Sequence, residues 1–284
     1  MSSALRRIRR SGRVALILLL LLLYLLPLYW MISTSFKLQP EIFRLPPTLI
    51  PERPTLANYG SVLFGSMALS IPFLTYFRNS LVVSLLIVAV TVLLATPASY
   101  AISRVRFAGR RALIYFVLIS QMLPVVLTLI PLYRAFLRLK LLSTYPGLVL
   151  PYLMITLPFS IWMLKGYFDT IPRELDEAAK VDGCSKLQAM LRVVVPNVAP
   201  GLTATAIISF IASWDEFIIG LTIMDRNVMR TLPVGMIQTF VGQFTIRWGE
   251  MMAASVITTI PVVLIFVFLS RHLIGGLIAG AVKG

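Results

Sequence analysis

Glu174–Pro196 reads ELDEAAKVDGCSKLQAMLRVVVP, and four acids, Glu174, Asp176, Glu177 and Asp182, crowd its first half. The full chain has 284 residues, of which only 11 are Asp or Glu and 58% are hydrophobic. Apolar runs at about Leu148–Leu164 and Leu202–Met224 flank the stretch, and each approaches the roughly 20 residues that carry a helix across a bilayer. An acidic, alanine-rich island between two such runs belongs in water or against a protein partner. The chain therefore reads as membrane spans separated by short soluble elements.

Composition agrees. Mean hydropathy is +0.89 and charged residues make up 13% of the chain, about half the share of an ordinary soluble domain. A formal net charge of +15 would suggest nucleic acid in a soluble protein. Here the basic residues stand in short clusters beside apolar runs. The simpler reading is membrane topology and contact with anionic headgroups, with no nucleic-acid partner. Cys184 is the only cysteine and His272 the only histidine, which excludes an intrachain disulfide and a Cys/His metal cluster. The lone thiol reads as a small buried side chain rather than a nucleophile.

Six segments have spanning length: about 14–32, 81–101, 113–132, 148–164, 202–224 and 252–269. Basic RRIRR precedes the first, as in a signal peptide, but that run is long and ends at Tyr29 and Trp30, which suit an interfacial anchor. Arg6, Arg7, Arg9, Arg10 and Arg13 before span one, and Arg104, Arg106, Arg110 and Arg111 after span two, place both segments in the cytoplasm. The loop after span four and the carboxy-terminal tail share that side, while Arg134, Arg138 and Lys140 fall on the other. The expected fold is an all-α integral membrane domain over 1–284, with six transmembrane helices and both termini cytoplasmic. A cytoplasmic docking loop at 165–198, holding a coupling helix, joins spans four and five. Two longer outer loops, about Ser33–Phe77 and Asp225–Met251, cover the bundle or meet an external partner. In the first, PPTLIPERPT favours extended turns before a helix capped by Thr55.

Within TIPRELDEAAKVDG, Pro172 and the acids Glu174, Asp176 and Glu177 mark a helix start. Ile171, Leu175, Ala178 and Ala179 recur at helical spacing on one small apolar face. Gly183 supplies the positive φ that ends the helix. About 12 residues make a helix roughly 18 Å long, a fit for a plug between two spans. An amphipathic helix lying on lipid is the competing reading, which the acids disfavour because anionic lipid repels them. The acids themselves read as solvated or docking groups. A second amphipathic stretch, SKLQAMLRVVV, returns to the membrane at Pro196.

These residues resemble the cytoplasmic signature of the membrane subunits of bacterial and archaeal ABC importers: Glu-Ala-Ala, three residues, Gly, nine residues, then Ile-x-Leu-Pro. Glu177, Ala178, Ala179, Gly183, Val193, Val195 and Pro196 match at the intact spacing, with valines for the Ile and Leu. PPTLIPERPTLANY, YFRNSLVVS, SWDEFIIGLTIM and GLIAGAVKG are similar to the carbohydrate-importer branch, of maltose-system type, with Asp215 where Asn is common. The resemblance implies a permease subunit of an ATP-driven, binding-protein-dependent importer for a sugar or oligosaccharide, in a bacterial or archaeal cell membrane. It implies a second permease subunit, two ATP-binding subunits and an external solute-binding protein as partners, besides membrane lipid. Glu174, Leu175, Glu177, Ala178, Ala179, Asp182, Gly183 and Pro196 would dock the ATPase. Thr231, Pro233, Gly235 and Gln238 would meet the binding protein, and the tail Gly275–Gly284 would reach between the ATPase subunits. ATP and Mg are expected on the partner, with no cofactor and no enzymatic role on this chain, which has no G-x-x-x-x-G-K-[ST].

Asp215 and Glu216 fall mid-way through span five, where an unpaired charge costs about 2.5–3.5 kcal/mol. They support helix packing or a subunit contact, or they serve a proton-coupled secondary transporter with Gln121 and Asn79 in its pathway. No filter pattern or ring of charge marks a channel, and no histidine base or nucleophile accompanies the acids, as a membrane enzyme would need. Gln121, Tyr152, Ser213 and Trp214 are candidate sugar contacts by stacking and hydrogen bonding; packing is the competing reading for each.

Overall fold

Prolines and buried acceptors decide where the apolar runs stay straight and where they break. The computed structural model describes residues 2–65, 72–242 and 245–281, with side chains described from 12 to 269 within those limits. Its helices are α1 (Ser2–Ser35), α2 (Ala57–Phe64), α3 (Phe73–Arg104), α4 (Arg110–Ser120), α5 (Val125–Arg138) and α6 (Tyr145–Thr170). They continue as α7 (Glu174–Val181), α8 (Lys186–Asn197), α9 (Ala199–Trp214), α10 (Ile218–Ile223), α11 (Leu232–Phe240) and α12 (Trp248–Ala281). Among the described residues there is no strand beyond one antiparallel bridge, Val241 with Ile246.

Four helical segments, Gly12–Ser35, Phe73–Arg104, Tyr145–Thr170 and Trp248–Leu269, are long and apolar enough to cross a membrane, and two bent pairs raise the count to six if each is one span. Expected span three, 113–132, is one of these pairs: α4 and α5 meet at 95°. Pro124 causes the break, because it offers no N–H and drives Leu123 out of helical geometry. Expected span five, 202–224, also departs from a single run, since α9 ends at Trp214 and α10 begins at Ile218. At its other end α9 turns by 80° from α8, a helix with a π-helical middle, Ala189–Val194.

The chain packs as two units, residues 1–73 with 236–260, and 74–235 with 261–284. In the first, Leu56 rather than the expected Thr55 stands at the cap position of α2, and the Thr55 hydroxyl, just ahead of it, accepts the Ala57 N–H. Asn58 Nδ2 donates to the carbonyls of Ser35 and Lys37 at 2.9 and 2.8 Å, and Ser61 donates to Glu250 at 2.7 Å. Lys37 is buried, donates to the Thr48 carbonyl and lies 4.7 Å from the Trp30 ring centre. Glu41 closes the proline-rich loop by accepting the Glu52 N–H and the Thr48 hydroxyl, both at 2.9 Å.

The second unit is built on α3 and α6. Tyr145 meets Asn79, Thr91 meets Thr156 at 3.1 Å, Ser99 donates to the Ile161 carbonyl, and Ser103 donates to Asp169. Rising numbers on both helices mean that they run parallel. The chain between them, 105–144, therefore returns to its starting end through α4 and α5. Helix α9 runs back against α6, and Gly201 permits it: a Cβ there would stand 2.5 Å from the Tyr167 ring. One end of this unit thus carries 100–104, 168–176 and 194–201; the opposite end carries 79–80, 145 and 223–232.

The Glu52 N–H holds the Glu41 carboxyl below its ordinary pKa. A lowered folded pKa contributes stability that is present above the unfolded value and lost as pH falls through the folded one. The hydrogen-exchange protection factor of the Glu52 amide is expected to hold at neutral pH and to fall below the usual carboxylate range; Glu41→Gln should flatten that profile.

Candidate functional site

Residues 165–201 fold around a short, firmly capped helix. α7 has 8 residues, shorter than the expected 12, because Ile171 closes α6 in extended geometry and α7 begins only at Glu174. Gly183 sits at φ +80°. There the Cys184 N–H reaches the Ala179 carbonyl at 2.9 Å and the Gly183 N–H reaches that of Lys180 at 3.0 Å, the paired closure of a Schellman cap. Ser185 then opens α8 by exchanging hydrogen bonds with Gln188. This capping box was readable in SKLQ and was missed. Cys184 is half-buried between the two caps.

The expected apolar face of α7 divides. Ala179 turns inward, Ile171 is half-buried, and Leu175, Ala178 and Val181 point outward beside Glu174, Glu177 and Asp182. Val181 is 88% exposed. Pro196 lies exposed at the end of α8.

Asp176 departs from its reading as a solvated or docking acid. It is buried, accepts the Tyr100 hydroxyl at 2.6 Å and lies 3.1 Å from Arg104 Nε, with 9% of either charged side chain exposed. The pair sits as ion to ion rather than as a linear hydrogen bond, since Arg104 Nε and Asp176 Oδ2 have no aligned hydrogen-bond partner. Arg104 also donates to the Ile171 carbonyl at 2.8 Å, and Arg173 to that of Ser103. Lys165 pairs with Asp169, which takes the Ser103 hydroxyl at 2.6 Å. Removing one member of a buried ion pair costs about 3–5 kcal/mol, so these contacts fix α7 to the end of α3. A cavity of about 280 Å³ opens beside the pair, lined by Arg106, Arg173, Lys180, Lys186 and Glu177. The acidic stretch is cationic in space.

Glu216 is fully used by the fold. Its carboxylate accepts the N–H groups of Ile219 and Gly220 at 2.7 and 3.1 Å and the Tyr152 hydroxyl at 2.8 Å, so it caps α10 and causes the restart after Trp214. Asp215 is exposed. Tyr152 and Trp214 are each 1% exposed; Trp214 stacks on Phe210 at 5.3 Å and meets Phe77 edge-on. Ser213 returns its hydroxyl to the Ser209 carbonyl. These three lie in the packed interior of the chain. Gln121 lines an open cavity of about 230 Å³ at the α4–α5 break, with Leu123, Val125, Met154 and Ile219.

At the end opposite α7, Asn79 Nδ2 donates to the carbonyls of Val228 and Arg230 at 2.8 and 3.0 Å, and Ser80 accepts the Leu232 N–H at 2.7 Å. The proton-coupled alternative would set Asn79 in its pathway; here it secures a loop. Thr231 is buried, Pro233 half-buried, and Gly235 lies under the Tyr76 ring, 2.4 Å from where its Cβ would be. Gln238, in the first unit, is exposed. Residues 282–284 of the tail Gly275–Gly284 lie outside the described residues.

Residues 92–278 match the family described as "Binding-protein-dependent transport system inner membrane component". The chain is 36% identical over 260 residues to the sulfoquinovosyl glycerol transport system permease protein SmoH of Agrobacterium fabrum, covering 92% of this chain and 89% of that one. It is 38% identical over 261 residues to the trehalose/maltose transport system permease protein MalG of Thermococcus litoralis, covering 92% of each. Its fold is similar, with TM-score 0.80 and 21% identity over 93% of this chain and 96% of the other, to a chain of a bacterial ABC transporter involved in the import of the polysaccharide alginate. The chain belongs to the binding-protein-dependent transport family: it is a permease subunit of an ABC importer and a multi-pass membrane protein. The proton-coupled reading of Asp215 and Glu216 finds no support in that membership.

Glu216→Gln leaves one acceptor oxygen for three donors, a loss of about 1–3 kcal/mol. The thermal midpoint of the purified chain is expected to fall by several degrees while uptake by the assembled importer persists in the presence of a protonophore. Abolished uptake at unchanged thermal stability would make Glu216 part of the transport chemistry.

Proposed function

We propose that this subunit forms half of the translocation pathway of a sugar or oligosaccharide importer, and that the exposed face of α7 docks an ATP-hydrolysing subunit. The partners are a second permease subunit, two ATPase subunits that bind ATP and Mg, and an external solute-binding protein. Supporting the cargo class are the sulfoquinovosyl glycerol and trehalose/maltose systems named for its relatives. Six spans with both termini in the cytoplasm of a bacterial or archaeal cell agree with the basic clusters and with the parallel run of α3 and α6, which asks for one crossing between them.

The observation that carries the docking reading is that α7 is anchored behind and bare in front. Leu175, Ala178 and Val181 are exposed on a helix whose back is held by Asp176 and Ala179. The cationic cavity beside it suits an acidic side chain of the ATPase. Closure of the ATPase pair then moves the spans between outward- and inward-facing arrangements, driven by the difference in its affinity for α7 in its two states.

A Cβ on Gly183 would meet nothing within 4 Å, so its requirement is the backbone angle. Gly183→Val is expected to cost about 1–2 kcal/mol at the cap and to uncouple uptake from hydrolysis in proteoliposomes of the assembled transporter. Gly183→Asn, which tolerates positive φ, should retain much of the uptake. Normal uptake by the valine variant, with assembly intact, would sink the docking reading.

A further inference from the structure

We propose that α3 is a single transmission strut joining the docking helix to the 228–232 loop, with Tyr100, Arg104 and Asp176 as the pin at one end and Asn79 and Ser80 as the pin at the other. The inference rests on the importer reading and adds which helix carries the stroke.

Among the described residues, the side-chain hydrogen bonds and the ion pair that join 165–176 to another helix end on the last turns of α3. Tyr100 and Arg104 hold Asp176, Arg104 holds the Ile171 carbonyl, Ser103 holds Asp169, and Arg173 returns to the Ser103 carbonyl. A push on α7 therefore reaches α3 through these ties, as well as α6 through the three residues of chain that join them. At the far end of the same helix, Asn79 fastens the loop carbonyls of Val228 and Arg230 and Ser80 the Leu232 N–H that opens α11. Asn79 and Ser80 are each 1% exposed, so water does not compete for these bonds. From Asn79 to Arg104 a helix spans about 38 Å at 1.5 Å per residue.

Such a strut must resist bending, and Pro97 removes one internal hydrogen bond near its loaded end. The chain braces it there. Ser99 donates to the Ile161 carbonyl at 3.0 Å, Tyr100 meets Phe168 edge-on at 5.8 Å, and Ala95 packs with Leu164 and Phe168. Higher up, the buried Thr91–Thr156 contact ties α3 to α6 again. Helices α3 and α6 are thus tied to each other at four levels between the two pins. The 228–232 loop faces the end opposite α7, where the importer reading puts the binding protein. Arrival of that protein and closure of the ATPase are then two loads on one rod, and the linkage between them is reciprocal.

The test uses the whole transporter in lipid nanodiscs with its ligand-loaded binding protein. Asn79→Ala and Ser80→Ala are expected to leave ATPase assembly and basal hydrolysis at wild-type levels. The hydrolysis rate stimulated by the binding protein should fall about tenfold, within the 5–150-fold span of ordinary coupling. Tyr100→Phe, which removes one oxygen and keeps the ring, should lower the same stimulated rate while binding-protein affinity stays unchanged. Because the pins act in series, Asn79→Ala combined with Tyr100→Phe should be no worse than the more damaging single change. Multiplying losses, or normal stimulation in both single variants, would overturn the strut. If either alanine variant fails to assemble, Tyr100→Phe alone decides. A wild-type complex that shows no stimulation at all would instead refute the importer reading.

Discussion

A carboxylate buried at the rim of a membrane protein must have a cation, and Asp176 has Arg104 at 3.1 Å. The constraint is strong because it works twice. It forbids α7 from swinging free as a flexible arm, since the movement would strand two charges. It also makes the last turn of α3 the seat of α7, so the outward residues Leu175, Ala178 and Val181 are presented on a fixed base. A short helix on a loose tether would swing independently of the spans; α7 is instead bolted to a 32-residue helix.

What the sequence made legible follows from where the determining groups lie. Gly183, the cap it forms and the acids of the first turn are local, so the helix, its end and the signature spacing could be read directly. The length of α7 was overestimated at its start, because Ile171 closes α6 in extended geometry and the new helix begins only at Glu174. Asp176 was misread for a different reason: Tyr100, which donates to it, lies 76 residues earlier, and no periodicity of α7 distinguishes an acid that faces Arg104 from one that faces water. The basic cluster Arg104–Arg106 was read as a topology signal. It also supplies the cation that turns an acidic stretch into a cationic cavity.

The spans show the same division. Apolar length located four helices long enough to cross a membrane, and it could not show the bends between α4 and α5 and between α8 and α9. At Gln121–Pro124 the proline was visible, yet a proline inside an apolar run is tolerated elsewhere in this chain, at Pro97, Pro151 and Pro158. The WDEF break was not visible in the hydropathy of 202–224, although packing was one expected role of its acids. Glu216 spends its oxygens on the N–H groups exposed by the break and on Tyr152, so acid and break require each other. For Tyr152 and Trp214 the packing reading fits their burial: aromatic chemistry suited to a sugar is equally suited to a core, and only packing distinguishes the two.

The most direct measurement of the central claim, that the docking helix and the end of α3 move as one body, is a spin-label distance. Labels at Lys180→Cys on α7 and Ala108→Cys just beyond α3, in a Cys184→Ser background, would be followed in the assembled transporter without nucleotide and in its ATP-bound state. A single distance distribution that stays unchanged between the two states is the expected result. A second distance population appearing with ATP would contradict it, because α7 would then move without α3.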